Sequence, residues 1–287
     1  MEMKFFRDYK EKIRKEIRDI KAVYSDCDGT LFNDKGSIIN DAEGLYFFGA
    51  VSCLELLHSC NIDLVMISGR NRYQLKYNAQ MLNLYNYIAE LGAEVVYNRG
   101  REVHRTYNKE NFRHDFTSLG EDFRNVVRLM KNSFPSKIDC RPEWNKNRNT
   151  NILFLGEIDV EKANRILAEN GFEDSMIMNN GPTSLYAAEF PDCKTYFYNL
   201  MPKGVDKSKG VRTDREIRGF LKENCLALGD SAEDLKMADE VKFFFLMNND
   251  IHEEDHIIKA LPNYDNVFVT ERKMNRGWEE VIRYLFN

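Results

Sequence analysis

AVYSDCDGTLF, residues 22–32, is an apolar run that ends in two acids one residue apart, followed at once by Gly29 and Thr30. Read as a strand, it delivers Asp26 and Asp28 at its carboxyl end, in a sharp turn that Gly29 permits. A turn signal alone accounts for Asp-Gly. Two carboxylates held at i and i+2 can also be chemical equipment. What else the chain brings to the same place decides between these readings.

Two further polar clusters follow short apolar runs directly: Ser68 after IDLVMI, and Asp230 with Asp234 after CLALG. If KAVYS, IDLVMI and CLALG are parallel strands, all three clusters share the carboxyl edge of one sheet, where open α/β sheets bind ligands. Further strand candidates are YIAEL to EVVY, VKFFFLM and NVFVT. Helix-like stretches at about 41–60, 71–83, 211–224, 232–239 and 277–286 lie between them. The alternation predicts an α/β fold, a Rossmann-like parallel sheet with helices on both faces. It breaks near Asn98 and resumes near Met201. Residues 1–98 and 201–287 are therefore read as the body, and 99–200 as an inserted α+β domain. In the insertion, SLGEDFRNVVRLMKNSF and VEKANRILAENG read as helices, and NILFLGE, SMIMNN, SLYAAEF and TYFYNL as strands.

With 287 residues, 43% of them hydrophobic, the chain has material for two domains or one with a large insertion. No run reaches the roughly 18 apolar residues that cross a bilayer. The opening MEMKFFRDYKEKIRKEIRDIK is too charged for a signal peptide, and Phe5, Tyr9, Ile13, Ile17 and Ile20 suggest an amphipathic helix packed on the body. A cytoplasmic protein is the expectation. The six cysteines, at 27, 53, 60, 140, 193 and 225, include no C-x-x-C pair and read as reduced, mostly buried thiols. The 41 basic and 46 acidic residues are mixed along the chain, for a formal charge of −5. Neither a nucleic-acid tract nor an acidic tail is present. Oligomeric state is not written in these residues.

Asp26, Asp230 and Asp234 supply hard oxygen donors, which suit magnesium better than zinc or copper. Such an ion relieves carboxylate repulsion and shields the approach of one carboxylate to phosphorus. The other acid of the pair can protonate the leaving oxygen and later activate water. Positive charge is available from MPKGVDKSKGV, through Lys203, Lys207 or Lys209, and charge alone does not choose among them.

DCDGTLF, ISGR, GVDKSKG and GDSAEDLKMA resemble, in order and spacing, the four signatures of the haloacid dehalogenase superfamily of phosphohydrolases. The resemblance covers the body. It implies a Rossmann-like core, a phosphoaspartate intermediate and magnesium dependence. It also implies roles: Asp26 as nucleophile, Asp28 as acid/base, and Ser68 with the amide of Gly69 holding the phosphoryl group. Lys207 takes the lysine position, with Lys209 second. Asp26, the carbonyl of Asp28 and Asp230 ligate the metal, while Asp234 is a further ligand or orients the metal's water. The insertion resembles the superfamily's larger cap type, whose members often hydrolyse sugar phosphates or related small phosphomonoesters. One departure is GDSAED, where many relatives carry Asn before the last Asp; Glu233 is expected to add negative charge near the metal. Substrate choice is expected in the cap, where Arg141, Trp144 and Arg148 either meet a sugar or second anion or form an exposed loop.

Three other readings compete. HEEDH, His252 to His256, fits the zinc-peptidase pattern H-E-x-x-H, with Glu279 or Glu280 as a third ligand. Its acid-rich surroundings argue for a solvated helix. A calcium loop at DCDG fails, because Gly29 falls at the fourth position and Ser37 stands where Glu is needed. A phosphomutase or a catalytically silent binding protein would keep the same scaffold. The mutase would keep every acid, and no acid is missing here.

Overall fold

The computed structural model describes residues 3–108, 110, 112–118, 120–183, 195–251 and 255–287. Helix α1 (Phe6–Glu16) precedes β1 (Ala22–Asp26), α2 (Gly49–Ser59), β2 (Asp63–Ile67), α3 (Arg72–Met81), β3 (Tyr87–Ala89), β4 (Glu94–Tyr97) and β5 (Glu102–Arg105). Next come α4 (Glu121–Ser133), β6 (Ile138–Asp139), α5 (Pro142–Asn145), β7 (Ile152–Gly156), α6 (Val160–Glu169), β8 (Ser175–Pro182) and β9 (Tyr196–Pro202). The chain continues through α7 (Lys207–Ile217), β10 (Cys225–Gly229), α8 (Ala232–Leu235), β11 (Phe243–Leu246), α9 (Asp255–Ala260), β12 (Val267–Val269) and α10 (Met274–Phe286). It divides into two compact units, Met1–His104 with Asp206–Asn287, and Arg105–Val205. No helix among the described residues is long and apolar enough to cross a membrane.

The first unit is built on an eight-stranded sheet in the order β12-β11-β10-β1-β2-β3-β4-β5. Pairing is parallel from β12 to β3 and antiparallel between β3 and β4. Successive side chains of a strand face opposite sides, so both faces need cover. On one face Val23, Met66, Leu226 and Phe245 pack with Phe6 and Ile13 of α1, Leu57 of α2, Leu75 of α3 and Trp278 of α10. On the other, Tyr24, Val65, Ala227 and Phe244 pack with Val211 of α7 and Leu235 of α8. Each large apolar side chain so buried contributes roughly 1.5–3 kcal/mol. That double cover explains why β1, β2 and β10 read as unbroken apolar runs.

Register then places the polar clusters. Ser25 lies opposite both Leu228 and Met66, so Asp26 at the end of β1 and Ser68 and Asp230 just after β2 and β10 stand at the same sheet edge. The end of β1 is pinned from below: the Trp278 indole donates to Ser25 Oγ at 3.1 Å, and that hydroxyl donates to the Asp26 carbonyl at 2.8 Å. Helix α7 is pinned by Asp214, which accepts from the hydroxyls of Tyr24 and Tyr97, each at 2.6 Å.

The second unit is smaller and of α+β type. Its antiparallel sheet has the order β6-β7-β9-β8. One face buries Ile152, Phe154, Ile177, Tyr198 and Leu200 against Phe123, Val126 and Met130 of α4 and Leu167 of α6. Strand β5 carries the first unit's sheet past Asn98, and β9 runs to Pro202. The strand expected at SLYAAEF lies outside the described residues.

Several expected boundaries move. Helix α1 stops at Glu16, with Phe5 at its N-cap and Ile17 at its C-cap. Residues 41–48 are loop rather than helix, because the Asp41 carboxylate accepts from the amides of Glu43 and Leu45 and competes with helical pairing. Helix α7 begins at Lys207, well before residue 211, capped by Asp206 accepting from the Lys209 amide at 2.9 Å. Cys27, Cys53, Cys140 and Cys225 are buried free thiols and Cys60 an exposed one; Cys193 lies outside the described residues.

Residues 90–92 form the turn against which α7 starts. Gly92 has φ +97°, and a Cβ there would fall 1.9 Å from the Asp206 carbonyl oxygen. Gly92→Ala is therefore expected to cost about 3 kcal/mol or more, through backbone strain and displacement of the start of α7. Urea unfolding of the two proteins checks this; an unchanged midpoint would contradict the packing.

Candidate active site

Four segments of the first unit meet at the carboxyl edge of its sheet. Lys207, the first residue of α7, places its ammonium between two acids, with Nζ donating to Asp26 Oδ1 at 2.5 Å and to Asp234 Oδ1 at 2.6 Å. All three side chains are buried. Asp234 sits in the first turn of α8, where its Oδ2 accepts from the Asp230 and Ser231 amides at 3.1 and 3.0 Å and from Ser231 Oγ at 2.7 Å. Both Asp234 oxygens are thus engaged by donors of the protein itself. Asp230 is held by Thr30 Oγ1 and Asn249 Nδ2, each at 3.2 Å. Asn249 also donates to the Gly29 carbonyl at 2.7 Å. Gly29, at φ +82°, passes so close that a Cβ would meet Asp230 Oδ2 at 2.3 Å.

Carboxylate oxygens of Asp26, Asp230 and Asp234 lie within 4.8 Å of one another, the one such cluster among the described residues. Burial pushes the Asp26 carboxyl well above the usual range; Lys207 pulls against this, while Asp234 and Asp230 add to it. Burial, then the charge of Asp234, raises Asp230 to about 7. Burial opposes the charge on Lys207, yet Asp234 and Asp26 outweigh it and hold the ammonium protonated. Three acids around one ammonium leave surplus negative charge, and the donors are all hard oxygens. The set fits a divalent cation of the magnesium or calcium kind.

Ser68 follows β2, buried, with its amide on the Ile88 carbonyl at 3.1 Å and its Oγ accepting from the Arg70 amide at 3.2 Å. Gly69 lies between them in this turn. Asp28 is exposed, and its carboxylate is turned to Arg70, which donates Nε to Oδ2 at 3.0 Å and Nη2 to Oδ1 at 2.5 Å. Of the three lysines considered, Lys207 is the one whose ammonium lies among the carboxylates. Lys203 is exposed, and Lys209 contributes its backbone amide to the cap of α7.

A family model described as haloacid dehalogenase-like hydrolase matches residues 23–261. The chain belongs to that family. Relatives that align over nearly the whole chain are phosphatases, and this hydrolase is one. Among its relatives is the 5-amino-6-(5-phospho-D-ribitylamino)uracil phosphatase of Bacillus subtilis, 22% identical over 95% of this chain and 98% of that protein. Another is phosphoglycolate phosphatase 1 of Saccharolobus solfataricus, 27% identical over 92% and 94% of the two chains. The structure of the Synechocystis sucrose-phosphatase in complex with sucrose and phosphate aligns at TM-score 0.65, with 14% identity, over 93% of this hydrolase and 98% of that chain.

Three side chains at the hydrolase's site escaped the motif reading. Thr30 stands in the first motif but has no acid or base to mark it. Asn249 follows β11 in a polar run that reads as surface. Arg70 stands in ISGR, one residue beyond the phosphate-binding pair assigned there. Glu233 does not add free charge near the acids, because Lys236 Nζ donates to both its oxygens at 2.9 Å. The stretch 137–151 of the second unit is not simply an exposed loop: Asn145 and Arg148 are buried, and Asn145 bonds the Leu153 amide and carbonyl. Arg141 pairs with Asp139 and stacks on Trp144, 4.8 Å from its ring centre. Of the zinc-peptidase pattern, His252, Glu253 and Glu254 lie outside the described residues. Glu279 pairs with Arg283, and Glu280 accepts from the Glu271 and Arg272 amides.

The raised Asp230 carboxyl gives a pH dependence with a definite sign. Its folded value of about 7 exceeds the unfolded value near 4, so the native state binds the extra proton. Metal-free stability from this group therefore falls as pH rises from about 4 to 7. Asp230→Asn should stabilise the metal-free hydrolase at pH 8 by about 1 kcal/mol, with little gain at pH 4. It should also abolish stabilisation by added magnesium. Urea titrations at both pH values, with and without the ion, check it; equal effects at pH 4 and 8 would contradict the charge crowding.

Proposed function

We propose that this hydrolase is a magnesium-dependent phosphomonoesterase that works through a phosphoaspartate on Asp26. The observation that carries this reading is the Lys207 ammonium shared by Asp26 and Asp234 beside Asp230. In the proposed first step an Asp26 oxygen attacks phosphorus, the ester bond to the alcohol breaks, and Asp28 gives the departing oxygen a proton. In the second, Asp28 takes a proton from water, whose oxygen attacks phosphorus; the bond from phosphorus to the Asp26 oxygen breaks, releasing inorganic phosphate and restoring the carboxylate. Ser68 Oγ and the Gly69 amide hold phosphoryl oxygens, and Lys207 keeps the nucleophile oriented while countering charge on the phosphoryl group.

Asp26, the Asp28 carbonyl and Asp230 would hold the magnesium ion. Bound there, it supplies charge neutralisation between the attacking carboxylate and the phosphate. Asp234, with both oxygens already bonded, is assigned to positioning: it fixes Lys207 and the amides of the 230–231 turn. The second unit is assigned to substrate selection as a cap.

A small phosphorylated metabolite is the proposed substrate class, with sugar and polyol phosphates first. The phospho-D-ribityl group named for the Bacillus relative supports this. Phosphoglycolate, named for the archaeal relative, is the second candidate. Phosphatase and mutase outcomes on a sugar phosphate separate by product, free phosphate against an isomer.

A screen of sugar phosphates, polyol phosphates and phosphorylated hydroxy acids for released phosphate tests the substrate class. On the best substrate, Asp26→Asn should lower kcat by about a thousandfold or more. Activity persisting in pure mutant protein overturns the nucleophile. EDTA should abolish wild-type turnover and magnesium restore it; indifference to both defeats the metal assignment.

A further inference from the structure

The Asp28–Arg70 pair does more than the proposed reaction requires of it. A general acid must present its carboxyl to the leaving oxygen, yet here both Asp28 oxygens are taken by the guanidinium fork. Arg70, in contrast, is fixed from several directions. Its Nη1 donates to Asn78 Oδ1 of α3 at 2.9 Å, and its guanidinium lies 5.5 Å from the centre of the Phe32 ring. Gly36 approaches so closely that a Cβ there would meet Arg70 Nη2 at 3.1 Å. Of the two partners, the arginine is the built element. The side chain of Asp28 is 44% exposed and that of Arg70 25% exposed. Arg70 also follows directly on Ser68 and Gly69, the pair assigned to the phosphoryl group. A rigid planar fork with two parallel donors fits a carboxylate, which is the group it holds now.

We propose that Arg70 is the receptor for a carboxylate carried by the alcohol half of the substrate, and that this carboxylate displaces Asp28 from the fork and frees it to serve the leaving oxygen. The proposal rests on Asp28 as the acid/base and, within the small phosphorylated metabolites named above, moves phosphomonoesters of hydroxy acids ahead of sugar and polyol phosphates. Exchange of one carboxylate for another keeps the buried side of Arg70 paired. A neutral alcohol provides no replacement, so Asp28 stays tied and the chemical step suffers. Selection therefore acts on kcat as well as on KM.

The test compares 2-phosphoglycolate with 2-hydroxyethyl phosphate, which has the same phosphate and chain length but no carboxylate. Wild type should favour 2-phosphoglycolate roughly ten- to a hundredfold in kcat/KM, the range of one charge-assisted bidentate contact, with a clear share in kcat. In Arg70→Gln the ratio should collapse to within about threefold, whatever happens to the separate rates. Arg70→Lys, which keeps the charge and loses the fork, should retain part of it, and it decides the matter should the glutamine variant prove inactive. A purely structural role would lower both substrates together and leave the ratio unchanged; that result, or no preference in wild type, overturns the proposal. Asp28→Asn separates the two claims. Undiminished rates in that variant defeat the acid/base assignment, while the Arg70 ratio still reports on carboxylate recognition.

Discussion

Lys207 is the constraint on which the site's arrangement depends. Its buried ammonium is the common partner of an acid at the end of β1 and an acid at the start of α8. Bringing three carboxylates within a few ångströms of one another without such a charge would be prohibitively unfavourable. With it, one negative charge is countered and the surplus remains. That surplus is a functional property as well as a cost. It adds to burial, the larger cause, in raising the carboxyls of Asp26 and Asp230, and under the proposed mechanism it gives the site its affinity for a hard divalent ion.

The scaffold holds this arrangement through contacts on the far side of each catalytic candidate. Trp278 fixes the end of β1 through Ser25, and Asp214 ties α7 to β1 and β4 through two tyrosine hydroxyls. Gly92 allows the turn before β4 to lie against the residue that caps α7. None of these side chains faces phosphate in the proposed reaction. Each sets the direction of one that does, and such positions take their orientation from packed strands and helices rather than from flexible loops.

Much of this was legible in the sequence, for a physical reason. Strands covered on both faces read as unbroken apolar runs, and the polar residues after them mark a shared sheet edge. Asp26, Ser68, Asp230 and Asp234 could therefore be placed on one rim before any coordinates, whereas Lys207 was singled out from three lysines by the family resemblance alone. What the sequence concealed depends on pairing across distance. That Asp28 is clamped by Arg70, that Glu233 is quenched by Lys236, and that Asn249 bridges Gly29 and Asp230 are facts of side-chain direction. No local pattern encodes them. The loop at 41–48 was misread for a different reason: one Asp side chain competing with the helix outweighed the apolar periodicity around it. In the second unit, Asn145 is buried through its bonds to Leu153 of β7 and Arg148 bonds Trp144 and Asn151, pairings that a polar, charged stretch does not announce.

In the proposed mechanism an Asp26 oxygen attacks phosphorus, with Lys207 and Asp230 arranged around it. A crystal structure with magnesium and beryllium fluoride, a mimic of a phosphorylated aspartate, addresses this mechanism most directly. The proposed mechanism predicts the fluoride group bonded to an Asp26 oxygen, a cation between Asp26 and Asp230, and the Lys207 ammonium against a fluorine. Fluoride density on another carboxylate, or at a distance from the Asp26–Lys207 pair, would contradict it.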